Sequence, residues 1–134
     1  MVITRETDYA LRILRALLDG QLHTLGQIAR DELLPQSFTY KISKKLHQAG
    51  LIEVVRGTAG GCRLAVDLSG TSLYDLMVAM GEQSGLSSCM NPDYSCAWRA
   101  CHHGCTAHTK LMEIQEKLDN ELRSHSLREI LTGS

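Results

Sequence analysis

Four of the chain's five cysteines fall between Cys89 and Cys105, in the stretch CMNPDYSCAWRACHHGC. His102, His103 and His108 stand beside them. Soft thiolates suit zinc or iron–sulfur clusters. The gaps between Cys89, Cys96, Cys101 and Cys105 are six, four and three residues. Structural zinc sites usually present ligands in tight pairs, roughly two to four residues apart. Only the last two gaps are that short, and no Cys-x-x-Cys occurs. An irregular spacing in a loop fits a cluster, whose several irons spread the ligands apart. His102 and His103 read as solvated polar residues at least as readily as ligands. Cys62, far along the chain, reads as a small packed side chain.

The surroundings of these thiols bound their chemistry. The N-terminus MVITRETDYA has no apolar core of a secretory signal. The longest apolar runs are too short to span a membrane. A cytoplasmic location follows as the expectation, and closely spaced cysteines there bind metal or do redox work more often than they form structural disulfides. An odd total of five argues against full pairing. Nothing resembles a phosphate-cradling glycine loop, a paired carboxylate site or a nucleophile elbow. The chain is not expected to be an enzyme.

With 134 residues, 43% hydrophobic and only 4% aromatic, the chain can build one aliphatic, mostly helical core. Thr4 caps a first helix whose stripe is Tyr9, Ala10, Ile13, Leu14, Leu17 and Leu18, ended by Gly20. On its opposite face Asp8 reads as a solvated carboxylate pairing with Arg12 one turn on. Thr24 caps a second, short helix. Pro35 opens a third that runs to about Gln48. There Phe38, Ile42, Leu46 and Ala49 share one face, and Ser37, Tyr40, Lys41, Lys44 and Gln48 the other. Two short helices with a polar, basic outer face on the second fit a helix-turn-helix.

Leu51–Arg56 then reads as a strand, 57–61 as a glycine-rich turn, and Cys62–Val66 as the returning strand. A hairpin directly after a recognition helix is a wing, with Arg56 and Arg63 flanking a tip that can approach a DNA backbone or enter a minor groove. Ser72 with Asp75 caps a fourth helix, stopped by Gly81. A long amphipathic helix starts near Thr106, with Leu111, Ile114, Leu118 and Leu122 in one stripe. It is expected to pack on a partner chain or on the first helix. Ser126-Leu127-Arg128-Glu129 opens a last short helix. The net charge of −1 hides an asymmetry. Residues 37–63 carry five basic side chains against Glu53 alone, and residues 64–134 carry five basic against nine acidic. The basic segment points to an anionic partner.

The chain as a whole resembles the IscR/NsrR family of winged-helix regulators that carry iron–sulfur clusters. The likeness lies in TDYALRILRALL, in KKLHQAGLIEVVRGTAGGCRLA, in SLYDLMVAM, in the cysteine loop and in the Ser126–Leu131 ending. Cys62 departs from it, since the family usually has an aromatic there. The resemblance implies a mainly α fold with a small β-hairpin. Residues 1–81 would form a winged helix-turn-helix, 82–105 a cluster-binding loop, and 106–134 a dimerisation helix with a short C-terminal helix. It implies a homodimer reading a palindromic operator in double-stranded DNA, with Ser37, Phe38, Tyr40 and Lys41 meeting bases and phosphates and Arg56 entering the minor groove. Lys44 and Arg63 join them from the outward basic face, and Tyr40 stands where the family varies.

Three cysteines usually hold the cluster in this family, and a fourth ligand varies. Cys89, Cys96 and Cys105 match the three, and Cys105-x-x-His108 repeats a family pairing. Cys101 is additional. Four thiolates from one chain is the first arrangement. Three with Asp8 of the partner subunit is the second, and His108 in the fourth place is the third. A 4Fe-4S cluster is preferred to 2Fe-2S. The implied function is a transcription regulator, a repressor, sensing nitric oxide, redox state or iron–sulfur status. Its rivals are a zinc-stabilised interaction module and a cluster-free thiol regulator.

Overall fold

Most helix starts here are written in single side chains. In the computed structural model, which describes residues 3–82 and 85–134, Thr4 accepts the Thr7 N–H to open α1 (Arg5–Ala16). Thr24 opens α2 (Leu25–Asp31) through a capping box with Gln27. Ser72 and Asp75 do the same for α4 (Leu73–Ala79), and Ser126 accepts the Glu129 N–H to open α7 (Leu127–Thr132). Each such cap satisfies an N–H that the helix itself leaves unpaired, worth about 1 kcal/mol. α3 (Gln36–Gln48) has no side-chain cap and instead follows Pro35, whose carbonyl accepts both Thr39 N–H and Oγ1–H at 3.0 Å. Between α3 and α4 lie β1 (Ile52–Val55) and β2 (Gly61–Leu64), and a 3-10 turn at Leu68–Gly70. A second 3-10 turn at Ser88–Met90, α5 (Ala97–Cys101) and α6 (Thr106–Ser124) complete the order.

The core is aliphatic, as the composition requires. Ala10, Ile13, Leu14 and Leu17 of the first helix and its exit are fully buried against Ile42 and Leu46 of α3 and Ile28 of α2. Leu76 and Met80 close the cluster from α4, and Leu127 from α7. Full burial of each such side chain contributes roughly 1.5–3 kcal/mol before the entropy of ordering is counted. The C-terminal residues therefore belong to the same core as α1–α4, stitched to it by Leu127 N–H donating to Thr71 O at 2.8 Å and Leu73 N–H to His125 O at 3.0 Å.

Three details differ from the sequence expectation. α1 ends at Ala16, and Leu17 and Leu18 continue as a turn to Gly20, whose φ of +73° reverses the chain. Within the chain, the long helix α6 packs on α4 and on the 3-10 turn that carries Cys89, not on α1. A five-residue helix, α5, stands inside the cysteine loop. It has no buried residue, so it left no periodic apolar signal.

The hairpin shows why its tip needs glycine. β1 and β2 pair antiparallel, Ile52 opposite Leu64 and Val55 opposite Gly61. Cys62 also bonds in both directions with His23, N–H to O at 2.8 and 3.0 Å, so the wing is tied to the α1–α2 connection. A Cβ on Gly61 would stand 2.3 Å from the His23 carbonyl oxygen, and one on Gly60 2.2 Å from that of Val55. Gly61→Ala should therefore lower the unfolding free energy by about 1–3 kcal/mol in urea titrations. Gly70→Ala, where an added Cβ finds open space, should change it by less than about 0.5 kcal/mol.

Candidate nucleic-acid interface and cysteine centre

α3 turns its buried face to α1 and leaves Ser37, Tyr40, Lys41 and Lys44 exposed. Tyr40 is 65% exposed, the fullest aromatic display on this face. Phe38 is half-buried, edge-on to Tyr9 with ring centroids 5.7 Å apart. Lys41 Nζ lies 5.9 Å from the Phe38 centroid and 2.8 Å from Glu6 Oε1. Lys45 pairs with the other oxygen of Glu6. Lys41 first, then Lys45, hold the Glu6 carboxyl below the ordinary glutamate range. On the wing, Arg63 pairs with Glu53, its cross-strand partner. Among the described residues neither Lys44 nor Arg56 has an ion-pair partner.

The residues come together as a groove of about 520 Å³ between α3 and the hairpin. Tyr40, Lys44 and His47 line one wall and Val54, Val55, Arg56 and Gly57 the other. Phosphate oxygens are the dominant acceptors for such cations. His47 escaped the sequence reading, although it follows Lys44 by three positions and Tyr40 by seven, the spacing of one helix face. Its Nδ1 lies 3.3 Å from Ile52 O, which fixes the ring beside the hairpin.

The cysteine centre is assembled at the N-terminus of α6. Cys105 is its N-cap, the sulfur accepting the His108 N–H at 3.4 Å. His108 Nδ1 in turn lies 3.3 Å from Cys89 Sγ. Ser87 Oγ sits 3.3 Å from the same sulfur. His108 is thus common to two of the four loop cysteines. Cys96 is the N-cap of α5 and Cys101 its last residue, the former half-buried and the latter exposed. All five cysteines are free thiols. Among the described residues no three His, Cys, Asp or Glu side chains converge as a metal-ion site. The donors suit an iron–sulfur cluster in kind, three half-buried thiols and one imidazole, spread along the loop. His102 stacks on the exposed Trp98 ring at 4.0 Å, and its Nδ1 lies 2.7 Å from Trp98 O.

Asp8 lies on α1, with Arg12 Nε 3.3 Å from its carboxylate and the side chain 47% exposed. Two residues outside the expected set hold the loop. Gln115, 6% exposed, accepts the Leu86 N–H at 2.7 Å and donates to Asp119 at 2.7 Å. Glu82 bonds to the start of α1. A glutamine in the middle of an apolar stripe was the available signal for the first. The second bond spans 78 residues and had none.

Residues 3–133 match the family model of Rrf2, described as an iron-dependent transcriptional regulator. The chain belongs to the Rrf2 family. Among relatives of this Rrf2 protein, the regulator IscR of Vibrio parahaemolyticus is 26% identical over 142 residues, covering 100% of this chain and 79% of that one. The regulator NsrR of Bacillus subtilis is 29% identical over 94 residues, 68% of this chain and 64% of that one. Protein aau3 of Rhizobium meliloti is 34% identical over 91 residues, 66% of this chain, and the match spans only 59% of its length. Among solved structures, CymR, the global cysteine regulator of B. subtilis, superposes with a TM-score of 0.71 at 21% identity, covering 100% and 98% of the two chains. IscR of T. potens gives 0.71 at 18% identity, covering 99% and 88%. These likenesses carry the winged-helix fold. The Rrf2 chain is a transcriptional regulator and not an enzyme, and its family binds DNA.

Cys62 separates from the other thiols. It is 1% exposed, and burial pushes its pKa up to about 11. The thiolate is the reactive form. Iodoacetamide on the native, metal-free Rrf2 protein should label Cys101 and spare Cys62 until denaturant is added. Peptide mass spectrometry reads the order, and early labelling of Cys62 would contradict the packed position.

Proposed function

We propose that the chain is a dimeric, cytoplasmic, cluster-containing repressor that reads a palindromic operator. The observation that carries this reading is the pairing of the α3–hairpin groove with a cysteine segment anchored at the head of α6, where the His108 imidazole meets Cys89 and the His108 N–H meets Cys105. Cys89, Cys96 and Cys105 would hold the cluster. The 3.3 Å approach of His108 to Cys89 supports His108 as a candidate for the fourth place beside Cys101 and Asp8 of the partner subunit. When bound, an iron–sulfur cluster supplies a centre reactive toward oxidants and nitric oxide. The chain's own part is positional. Ser87 and His108 orient Cys89, the α6 N-terminus orients Cys105, and Gln115 ties the approach to Cys89 onto α6. Met112 and Ile114 stay 43% and 53% exposed on that helix, which supports a second copy covering them. Reorienting α6 in a dimer changes the separation of two recognition helices, and half-sites one helical turn apart then fit less well. No helix among the described residues is long and apolar enough to cross a membrane.

In the groove, Lys44 would meet phosphates and Arg56 would follow the wing into the minor groove, between its phosphates, while Tyr40 faces base edges, with Ser37, Phe38 and Lys41 at the front of the same helix. Lys44→Ala and Arg56→Ala should each weaken operator binding and lower the slope of log affinity against log salt by about one. Arg63→Ala, already neutralised by Glu53, should do less. Gel shifts over a salt series measure both.

Protein purified and reconstituted without oxygen should be brown, with iron and acid-labile sulfide in near-equal amounts, and His108→Ala should lose iron faster than Cys101→Ala. Colourless protein with zinc and no sulfide would replace this reading with the zinc module. Metal-free protein whose DNA affinity follows thiol oxidation would replace it with a thiol regulator, a reading that five free cysteines also support.

A further inference from the structure

One carboxylate oxygen joins parts of the chain that are remote in sequence. Glu82 Oε1 accepts the Thr4 N–H at 2.8 Å, the Thr7 hydroxyl at 2.7 Å, and the Thr4 hydroxyl. These are donors of the first turn of α1, where backbone N–H groups lack helical partners. Thr7 is completely buried, so its hydroxyl has no water to turn to. Glu82 is itself fixed at the exit of α4, its N–H donating to Met77 O at 3.0 Å. Four residues further on, Leu86 is bonded to Gln115 of α6, and Cys89 follows.

The same turn of α1 faces the recognition helix. Glu6 binds Lys41 at 2.8 Å and also Lys45. Lys45 Nζ then donates to Met80 O at 3.4 Å, back at the exit of α4. A closed ring results: the α4 exit, Glu82, the α1 N-terminus, Glu6, Lys45 and the α4 exit again. Each bond of the ring is partly exposed and contributes modestly; what the closure fixes is geometry. A shift of Glu82 has to break the ring or carry it along.

We propose that Glu82 is a positioning residue that couples the entrance of the cysteine loop to the recognition helix through the first turn of α1 and Glu6. In its consequence for DNA this rests on the regulator reading above. Its structural part does not. Glu82 sets where α1 begins, α1 sets where Glu6 stands, and Glu6 sets the placement of Lys41 on the exposed face of α3 and of Lys45 between α1 and the α4 exit.

The test uses the full-length, metal-free chain as wild type, Glu82→Ala, Glu82→Gln, Lys45→Ala and the Glu82→Ala/Lys45→Ala double variant. Hydrogen exchange by mass spectrometry follows peptides covering Ser37–Lys45. Affinity is measured for a 30-base-pair duplex (about three helical turns) selected by the wild-type chain from a random library. Glu82→Ala should speed exchange in the α3 peptides about threefold or more and weaken the duplex by about threefold to tenfold, the range of coupled neighbours. Glu82→Gln, which keeps an acceptor oxygen, should restore most of both. The double variant should fall short of the product of the single effects. Exchange changes confined to α1 and the residues around Glu82, or strictly multiplicative effects, would overturn the coupling and leave a purely structural cap. If Glu82→Ala fails to fold, Thr4→Val removes one arm of the ring and must give the same α3 pattern at smaller amplitude, or the proposal falls. If no duplex is selected, the DNA reading fails, and the α3 exchange data still decide the coupling.

Discussion

The buried stripe of α1 is the constraint on which the other elements depend. Ala10, Ile13, Leu14 and Leu17 have no exposure at all, and α2, α3, α4 and α7 all pack against α1. Apolar burial is non-directional, so the stripe alone does not choose one arrangement. Direction comes from what surrounds it. Caps on Thr4, Thr24, Ser72 and Ser126 set where the helices begin, and the His23–Cys62 bridge sets where the wing hangs. With those fixed, the outer face of α3 and the hairpin are held on one side of the molecule as a rigid pair.

That outer face is less cationic than its residue count implies. Glu6 neutralises Lys41 and Lys45, and Glu53 neutralises Arg63. Partly exposed ion pairs contribute about 0–1 kcal/mol each, so a phosphate can displace them at small cost. They hold long side chains in one placement. Lys44 and Arg56 line the groove outside such pairs, which concentrates the steering field between helix and wing.

The cysteine segment obeys different physics. Between Ser87 and Cys105 no residue is fully buried, so no apolar core holds it. It is suspended from its ends: Glu82 on α1, Leu86 on Gln115, and Cys105 as the N-cap of α6. Segments with few buried contacts open most easily. A segment of that kind can rearrange without unpacking the aliphatic core.

Helix types, the hairpin, the aliphatic core and the outward basic face were legible in the sequence, because apolar spacing and capping residues act over a few positions. Ser72–Asp75 and Gly50, with its φ of +78°, are where a local reading suffices. The start of α6 after Cys105 was legible for the same reason. The exposed α5 was not, since a solvated helix leaves no periodic trace. Nor was the backbone of Leu33, a non-glycine residue at φ +55° and 85% exposed, in the turn between α2 and α3. Among the thiols, the sequence by itself determined which residues could be ligands, because ligand chemistry belongs to side-chain type. Only the tertiary structure decided that His108 meets Cys89, that Lys41 is shared with Glu6, and that Glu82 closes on Thr4 and Thr7. Those contacts join residues 19 to 78 positions apart, and no spacing rule reaches across a fold.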